Sequence, residues 1–407
     1  MSALDRGDDD FTTGRYIVTY KDGALEQGLA ALRASNMRVA DTRDFVDHSF
    51  VAQDLGDADA VLFPELGCAL IGGEAFAERA MTLQTQADDP AQTIEPEYFA
   101  FAERNTSEYL RGFMRAAEAI AQDLLGASDS ELDERELEPQ VLGATWGLTQ
   151  CKVPLSVQSG MGISVAVLDT GMDLGHPDFA GRTVVTSTFV GEPVQDLHSH
   201  GTHCIGTACG PKAPPGTTPR YGIGYNTKIY VGKVLTNAGS GTTAGILAGI
   251  NWAVGNKCAV ISMSLGSNSP VQAAYTAAGR AALQKGSLII AAAGNSGGPT
   301  GAPANSPTIM SVASLDPNLK PSSFSSFGKV EIAAPGRDVF SSVPRPTRYG
   351  TKSGTSMATP HVAGCAALWA QTNPTLRGLA LWKKLTASAK SLPFPASKVG
   401  AGLVQAP

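Results

Sequence analysis

The segment Gly354-Thr-Ser-Met-Ala-Thr-Pro-His-Val-Ala-Gly364 puts a serine where a loop of small residues gives way to an alanine-rich apolar run reaching Trp369. A helix starting there turns its free N–H groups and positive end towards whatever sits on the Ser356 oxygen, which favours an anion. Pro360 is expected in the first turn, where a missing N–H costs nothing. On these residues alone, a nucleophile and a serine that merely caps a buried helix both stay open. Two further segments weigh towards the nucleophile. Gly162-Ile-Ser-Val-Ala-Val-Leu-Asp-Thr-Gly171 is a continuous apolar run closed by an acid and a glycine. It suits a central parallel strand that delivers Asp169 at its carboxyl end, where the catalytic groups of open α/β sheets gather. Asp196-Leu-His-Ser-His-Gly-Thr-His-Cys-Ile-Gly-Thr207 supplies His200, with Gly201 allowing close backbone approach. An acid, a base and a hydroxyl in the order Asp, His, Ser form one known solution of triad chemistry.

Other readings compete for these residues. Asp169-Thr-Gly also resembles the aspartic protease signature, but that chemistry needs two such carboxylates and the chain offers one copy among alternating strand and helix patterns. His198, His200, His203 and Cys204 have permissive spacing for zinc, yet no second Cys/His pair completes a tetrahedral site.

The motifs His200-Gly-Thr-His203 and Gly354 to Gly364 closely resemble those of the subtilisin-like serine proteases. The resemblance implies Asp169 as the orienting acid, His200 as the general base and Ser356 as the nucleophile. Ala291-Ala-Ala-Gly-Asn-Ser296 resembles the family's oxyanion segment, with Asn295 as side-chain donor. Ile261-Ser-Met-Ser-Leu-Gly266 is similar to the wall of the substrate cleft. Ser264, Leu265, Gly266, Ala293 and Gly294 are therefore expected to bind substrate, and Ile332-Ala-Ala-Pro-Gly336 to lead towards the nucleophile. The implied fold is α/β: a three-layer catalytic domain with a mostly parallel central sheet, spanning 141–407. The pocket walls carry no charge, which predicts large apolar or aromatic side chains at the first subsite.

Residues 1–102 resemble the propeptide of the same family, a small α+β, ferredoxin-like domain of βαββαβ-like order. Strands are expected at Arg15–Lys21, at Ala60–Phe63 or Ala69–Ile71, and at Gln92–Phe101, with helices at Leu25–Leu32 and Glu74–Gln86. Such propeptides end as a product-like strand in the cleft, which predicts Phe101 in the first subsite. Between them, 103–140 shows a helical stripe from Leu110 to Leu125 and an acidic stretch at 129–138, expected to be a processed linker. The cut is placed between 101 and 145. Charge follows the same division. Residues 1–140 hold 29 acids and 11 bases, against 8 acids and 20 bases in 141–407. With so acidic a partner in its own chain, the basic half needs neither nucleic acid nor membrane to explain it.

The six cysteines lack paired secretory spacing and are expected as buried thiols. Met1 to Asp10 shows neither a basic head nor an apolar run, which favours a cytoplasmic enzyme; a secreted one whose signal is absent from this sequence is the alternative. No cofactor is required. The loop Pro211–Arg220, which matches the family's strong calcium loop, contains no carboxylate or Asn, so that site is expected to be missing; a weak calcium site near Glu331 remains. The composite expectation is a monomeric serine endopeptidase made as a self-processing zymogen. It acts on protein or peptide substrates, with its own propeptide as intramolecular inhibitor. A maturation protease dedicated to one peptide partner and a silent, prodomain-docked binding module are the alternatives.

Overall fold

The computed structural model describes residues 12–45, 57–77, 90–102 and 143–407. In the N-terminal part, β1 (Thr12–Tyr20) leads through the helix Leu25–Ala34 to β2 (Val39–Asp41), β3 (Ala60–Phe63), β4 (Cys68–Ile71) and β5 (Ala91–Ala102). The sheet runs β5-β1-β4-β3-β2. Both segments offered as the second strand form, and they pair with each other as antiparallel β3 and β4. Each is only four residues and wholly buried, so neither shows the alternation that would have separated them in the sequence. The short edge strand β2, parallel to β3, was not foreseen. The helix expected over Glu74–Gln86 is seen at 73–77. Its remainder, like the stripe and acidic stretch of the linker, lies outside the described residues.

The C-terminal part is built on β6 (Ser164–Asp169), β7 (Val184–Thr188), β8 (Lys228–Lys233), β10 (Val260–Met263), β12 (Leu288–Ala292), β13 (Met310–Leu315) and β14 (Ile332–Pro335). These seven form one sheet, order β14-β13-β12-β10-β6-β8-β7, with every pair parallel. Successive side chains of β6 face opposite layers. Val165 and Val167 join the core with Ile205 and Val362, whereas Ala166 and Leu168 join the core with Ile246, Ile250 and Ala278. Covered on both faces, the strand reads as a continuous apolar run rather than an alternation. The result is a three-layer α/β fold. Two short strands, β9 (Ser240–Thr242) and β11 (Leu265–Gly266), leave this sheet and pair with β5 instead. A hairpin, β15 (Val339–Ser342) with β16 (Tyr349–Lys352), precedes the helix Thr355–Thr372.

Candidate active site

The chain order reverses direction across the sheet at β6, with β8 on one side and β10 on the other. Three groups emerge at the carboxyl edge of this switch point: Asp169 ends β6, Ser264 follows β10, and Asn295 lies just beyond β12. His200 opens the helix His200–Cys209, and Ser356 is the second residue of Thr355–Thr372. His200 Nδ1 lies 2.8 Å from Asp169 Oδ1, and both side chains are buried. The Thr170 N–H donates to the same oxygen at 2.7 Å. Burial pulls the His200 imidazole towards neutrality, but the Asp169 carboxylate outweighs it, and His200 is held well above the ordinary histidine range. His200 Nε2 is buried with no protein partner. Ser356 Oγ donates to the Ser264 carbonyl at 3.2 Å.

Pro360 does not sit in the first turn as expected. It is the sixth residue of its helix, one turn beyond Ser356. Its missing N–H therefore leaves the Ser356 carbonyl, four residues back, without a helical donor. Two side chains fill the gap: Ser264 Oγ donates to that carbonyl at 2.7 Å and Cys204 Sγ at 3.5 Å. The proline thus ties Ser356 to the histidine helix and to the loop after β10. The Asn295 amide is fixed from behind. Its Oδ1 accepts from the Thr355 N–H at 2.8 Å and from Thr355 Oγ1 at 3.1 Å, which leaves Nδ2 buried and without a protein partner.

The cleft between β9 and β11 is filled by the end of β5. Leu265 pairs with Ala102 and Gly266 with Phe101, while on the other side Phe101 pairs with Ser240 and Phe99 with Thr242. The Ala102 N–H also donates to the Gly239 carbonyl at 2.7 Å. Phe101 does not fill a pocket: it is 39% exposed, whereas Ala100 and Ala102 are 3% and 2% exposed. Side chains alternate along a strand, so one residue of register reverses which set faces in. Of the other expected substrate contacts, Ala293 is buried with its N–H on Val312 and its carbonyl accepting from Gly301, and the Gly294 N–H is taken by Thr355 Oγ1.

A model of the subtilase family matches residues 160–402. The chain belongs to the subtilase family. It is 39% identical over 281 residues to an alkaline protease of Alkalihalobacillus alcalophilus, covering 67% of this chain and 72% of that one. It is 40% identical over 268 residues to subtilisin Savinase of Lederbergia lenta, covering 64% and 96%. With subtilisin DY of Bacillus licheniformis the identity is 39% over 249 residues, covering 59% and 88%. The protein is a subtilisin-like serine endopeptidase.

Several residues of this subtilase site carried no role in the sequence reading. Asp196, fully buried, accepts from the Thr170 hydroxyl, the N–H groups of His198, Ser199 and Thr202, and the Thr202 hydroxyl. It fixes the approach to the histidine helix; its sequence signal is an acid followed by Ser and Thr just before a helix start. Lys233, also fully buried, reaches the Thr170 carbonyl at 2.5 Å and Asn237 Oδ1 at 2.9 Å. The zinc alternative dissolves, since His203 Nε2 is spent on the Val339 carbonyl and burial pushes that ring down to about 3. Among the described residues, one set of three potential ligands converges, Asp169, His200 and Cys204, and it is the site itself.

Calcium does not fit where it was sought. Glu331 accepts from Lys329 Nζ at 2.7 Å and from the Ser311 N–H, and the same ammonium donates to the Ile309 carbonyl. A fixed amine already neutralises this carboxylate, so the residues present do not make a cation site there. Burial leaves all six cysteines as free thiols. Among the described residues no helix is long and apolar enough to cross a membrane.

Proposed function

We propose that Asp169, His200 and Ser356 act as the catalytic triad, with Asn295 Nδ2 and the Ser356 N–H as oxyanion donors. Ser356 Oγ leaves the Ser264 carbonyl for His200 Nε2, which takes its proton as the oxygen attacks a peptide carbonyl. Asp169 holds the ring and stabilises the imidazolium. The oxyanion meets donors already oriented by Thr355, so little reorganisation is needed at the moment of reaction. His200 then returns the proton to the leaving amine, and water resolves the acyl-enzyme by the reverse path. The observation that carries this reading is the pair of buried nitrogens without protein partners, His200 Nε2 on a ring held by Asp169 and Asn295 Nδ2 on an amide held by Thr355, the residue before Ser356. Labelling with a fluorophosphonate tests it: one equivalent on Ser356 is expected, and no labelling after processing would favour the silent module.

We further propose that residues 1–102 are an inhibitory propeptide whose last strand is the first substrate. Support comes from β5, which lies between β9 and β11 as an extended peptide would. The same strand anchors the two parts by charge. Glu95 accepts from the N–H groups of Ala273 and Ala274 at 2.8 and 2.7 Å, at the start of the helix Ala273–Gln284. Glu97 accepts from the Ala244 N–H at 3.0 Å, in the first turn of Thr243–Gly255. Each carboxylate sits at the positive end of a helix. Ser356 Oγ lies on the carbonyl of Ser264, one residue before the Leu265 that pairs with Ala102. The antiparallel register runs past Leu265 to Ser264, so the cut is expected at Ala102 or one residue after it, with the rest of 103–140 left as the linker to be removed from the catalytic domain, 141–407.

A further inference from the structure

We propose that Asp178, capped by the hydroxyls of Tyr221 and Tyr349, closes the loop Pro211–Arg220 and takes the place of a calcium ion there. The loop leaves the histidine helix after Cys209 and returns at Tyr221. Its two ends meet at Gly210 and Gly222: a Cβ on Gly222 would lie 2.1 Å from both the carbon and the oxygen of the Gly210 carbonyl. A Cβ on Gly210 would lie 2.7 Å from the Tyr221 ring. Tyr221 is fully buried, and its hydroxyl donates to Asp178 Oδ2. The Tyr349 hydroxyl, on the first residue of β16, lies 3.0 and 3.1 Å from the two oxygens of the same carboxylate and donates to it. The Asp178 side chain has no exposure. Burial pushes both phenols up and the Asp178 carboxylate adds to it, so each keeps the proton it donates. Phe340 completes the cluster, stacked on Tyr349 at 5.7 Å and edge to face with Tyr221 at 6.2 Å.

Calcium takes about six to eight oxygen ligands, carboxylates among them. At this neck the oxygens already serve fixed donors. Arg182 donates to the Cys209 carbonyl at 2.7 Å and to the Thr227 carbonyl at 2.9 Å. Arg220 donates to the Gly222 carbonyl at 3.1 Å and to that of Ile223 at 3.3 Å. Two guanidinium groups on the carbonyls and two phenols on the carboxylate place donors where a cation needs acceptors. The positive charge of the arginines opposes a cation further. Glu331 follows the same pattern, its carboxylate held by the Lys329 ammonium. The clamp also reaches towards the active site. Tyr349 belongs to the hairpin that precedes the helix of Ser356, and His176 Nε2 donates to the Arg348 carbonyl of that hairpin at 2.9 Å.

The test is amide hydrogen exchange over residues 211–224 of the full-length Ser356→Ala chain, first in excess EDTA and then in excess calcium. Exchange there should differ by less than about twofold between the two media, as local opening then involves no metal. Tyr221→Phe, in the same background, should speed it by about tenfold or more in both media, because a buried carboxylate loses a donor. Its melting temperature should fall by about 3 °C or more. Tyr349→Phe keeps the Tyr221 bond, so it should fold even if the first variant does not, and should speed exchange over 211–224 by about threefold or more. Protection of 211–224 by calcium overturns the proposal, because a cation then closes the neck. Unchanged exchange in the phenylalanine variants overturns it too, since the phenols then hold nothing. Neither readout needs turnover, so the result is independent of the triad reading, whose failure shows instead as a parent without a titratable serine.

Discussion

The two halves of β5 are held by different physics. At Glu95 and Glu97 the strand offers carboxylates to the N-terminal turns of two helices, and Glu97, with no exposure, is also bound by Arg15 at 2.6 Å. At Ala100 to Ala102 it offers main chain to β9 and β11 and two methyl groups to the core. The first mode needs those acids at those positions. The second needs only an extended chain with small side chains facing in. A protease that meets many substrates can use the second mode for all of them, and the first belongs to its own N-terminal part alone. Surface pairs add to the first mode: Arg280 lies 3.5 Å from Asp22, and Lys285 pairs with Glu65.

The comparison separates changes that affect turnover from changes that affect retention of the N-terminal part. Asp169→Asn should give the largest effect, about 10⁴-fold in kcat, as the wrong histidine tautomer is then favoured. It also bears on pH. In the proposed triad His200 must be neutral to accept the Ser356 proton, and Asp169 holds it protonated to a higher pH than an ordinary histidine. Activity should therefore fall as pH drops through a value above 6.5 in the parent. The acid limb should move to lower pH in Asp169→Asn; a limb that stays put means another group titrates. Asn295→Leu comes next, at about 10² to 10³ in kcat with little change in KM, the scale known for the oxyanion asparagine of subtilisin. A loss under about fivefold would remove Asn295 from that role, against the usual cost of a missing oxyanion donor.

Changes at the other half of β5 should leave the turnover of the freed enzyme alone, because neither glutamate remains part of it. Glu95→Gln with Glu97→Gln should speed release of the cleaved N-terminal fragment by about tenfold or more, a cap contact being worth about 1 kcal/mol each. Retention unaffected by the double change would mean that the cleft alone holds the fragment. Salt gives the smallest effect. The exposed pairs Arg280–Asp22 and Lys285–Glu65 should slow rebinding a few-fold when screened, since exposed charges are screened beyond roughly 8 Å at physiological ionic strength. Stopped-flow rebinding at two ionic strengths measures it, and an indifferent rate means the opposite charges do not steer the encounter.

The parts of the site legible in the sequence are those whose chemistry is local. Asp169 closes an apolar run, His200 is followed by a glycine, and Ser356 begins a helix, so each announces its own position. What was not legible depends on partners far along the chain. Pro360 could be placed in the first turn only by ignoring that Ser264 and Cys204 would satisfy the carbonyl it strands. The resemblance to a product-like propeptide end points to Phe101 for the first subsite, whereas strand parity turns it outward and Ala102 in. Glu331 reads as a cation ligand until Lys329, two residues away, folds onto it. Glu95 and Glu97 look like two ordinary acids on a strand, and only the fold brings the helix starts at Thr243 and Ala273 against them.

The most direct measurement is the intact mass of the purified chain, parent beside Ser356→Ala. The account predicts that the parent yields an N-terminal fragment ending at Ala102 or one residue after it, retained on the enzyme by Glu95 and Glu97. The Ser356→Ala chain should stay whole and folded, with β5 still in the cleft. A parent first cut elsewhere would contradict the register that pairs Ala102 with Leu265 in the productive complex. A Ser356→Ala chain cut at that same bond in a pure preparation would contradict self-processing by Ser356.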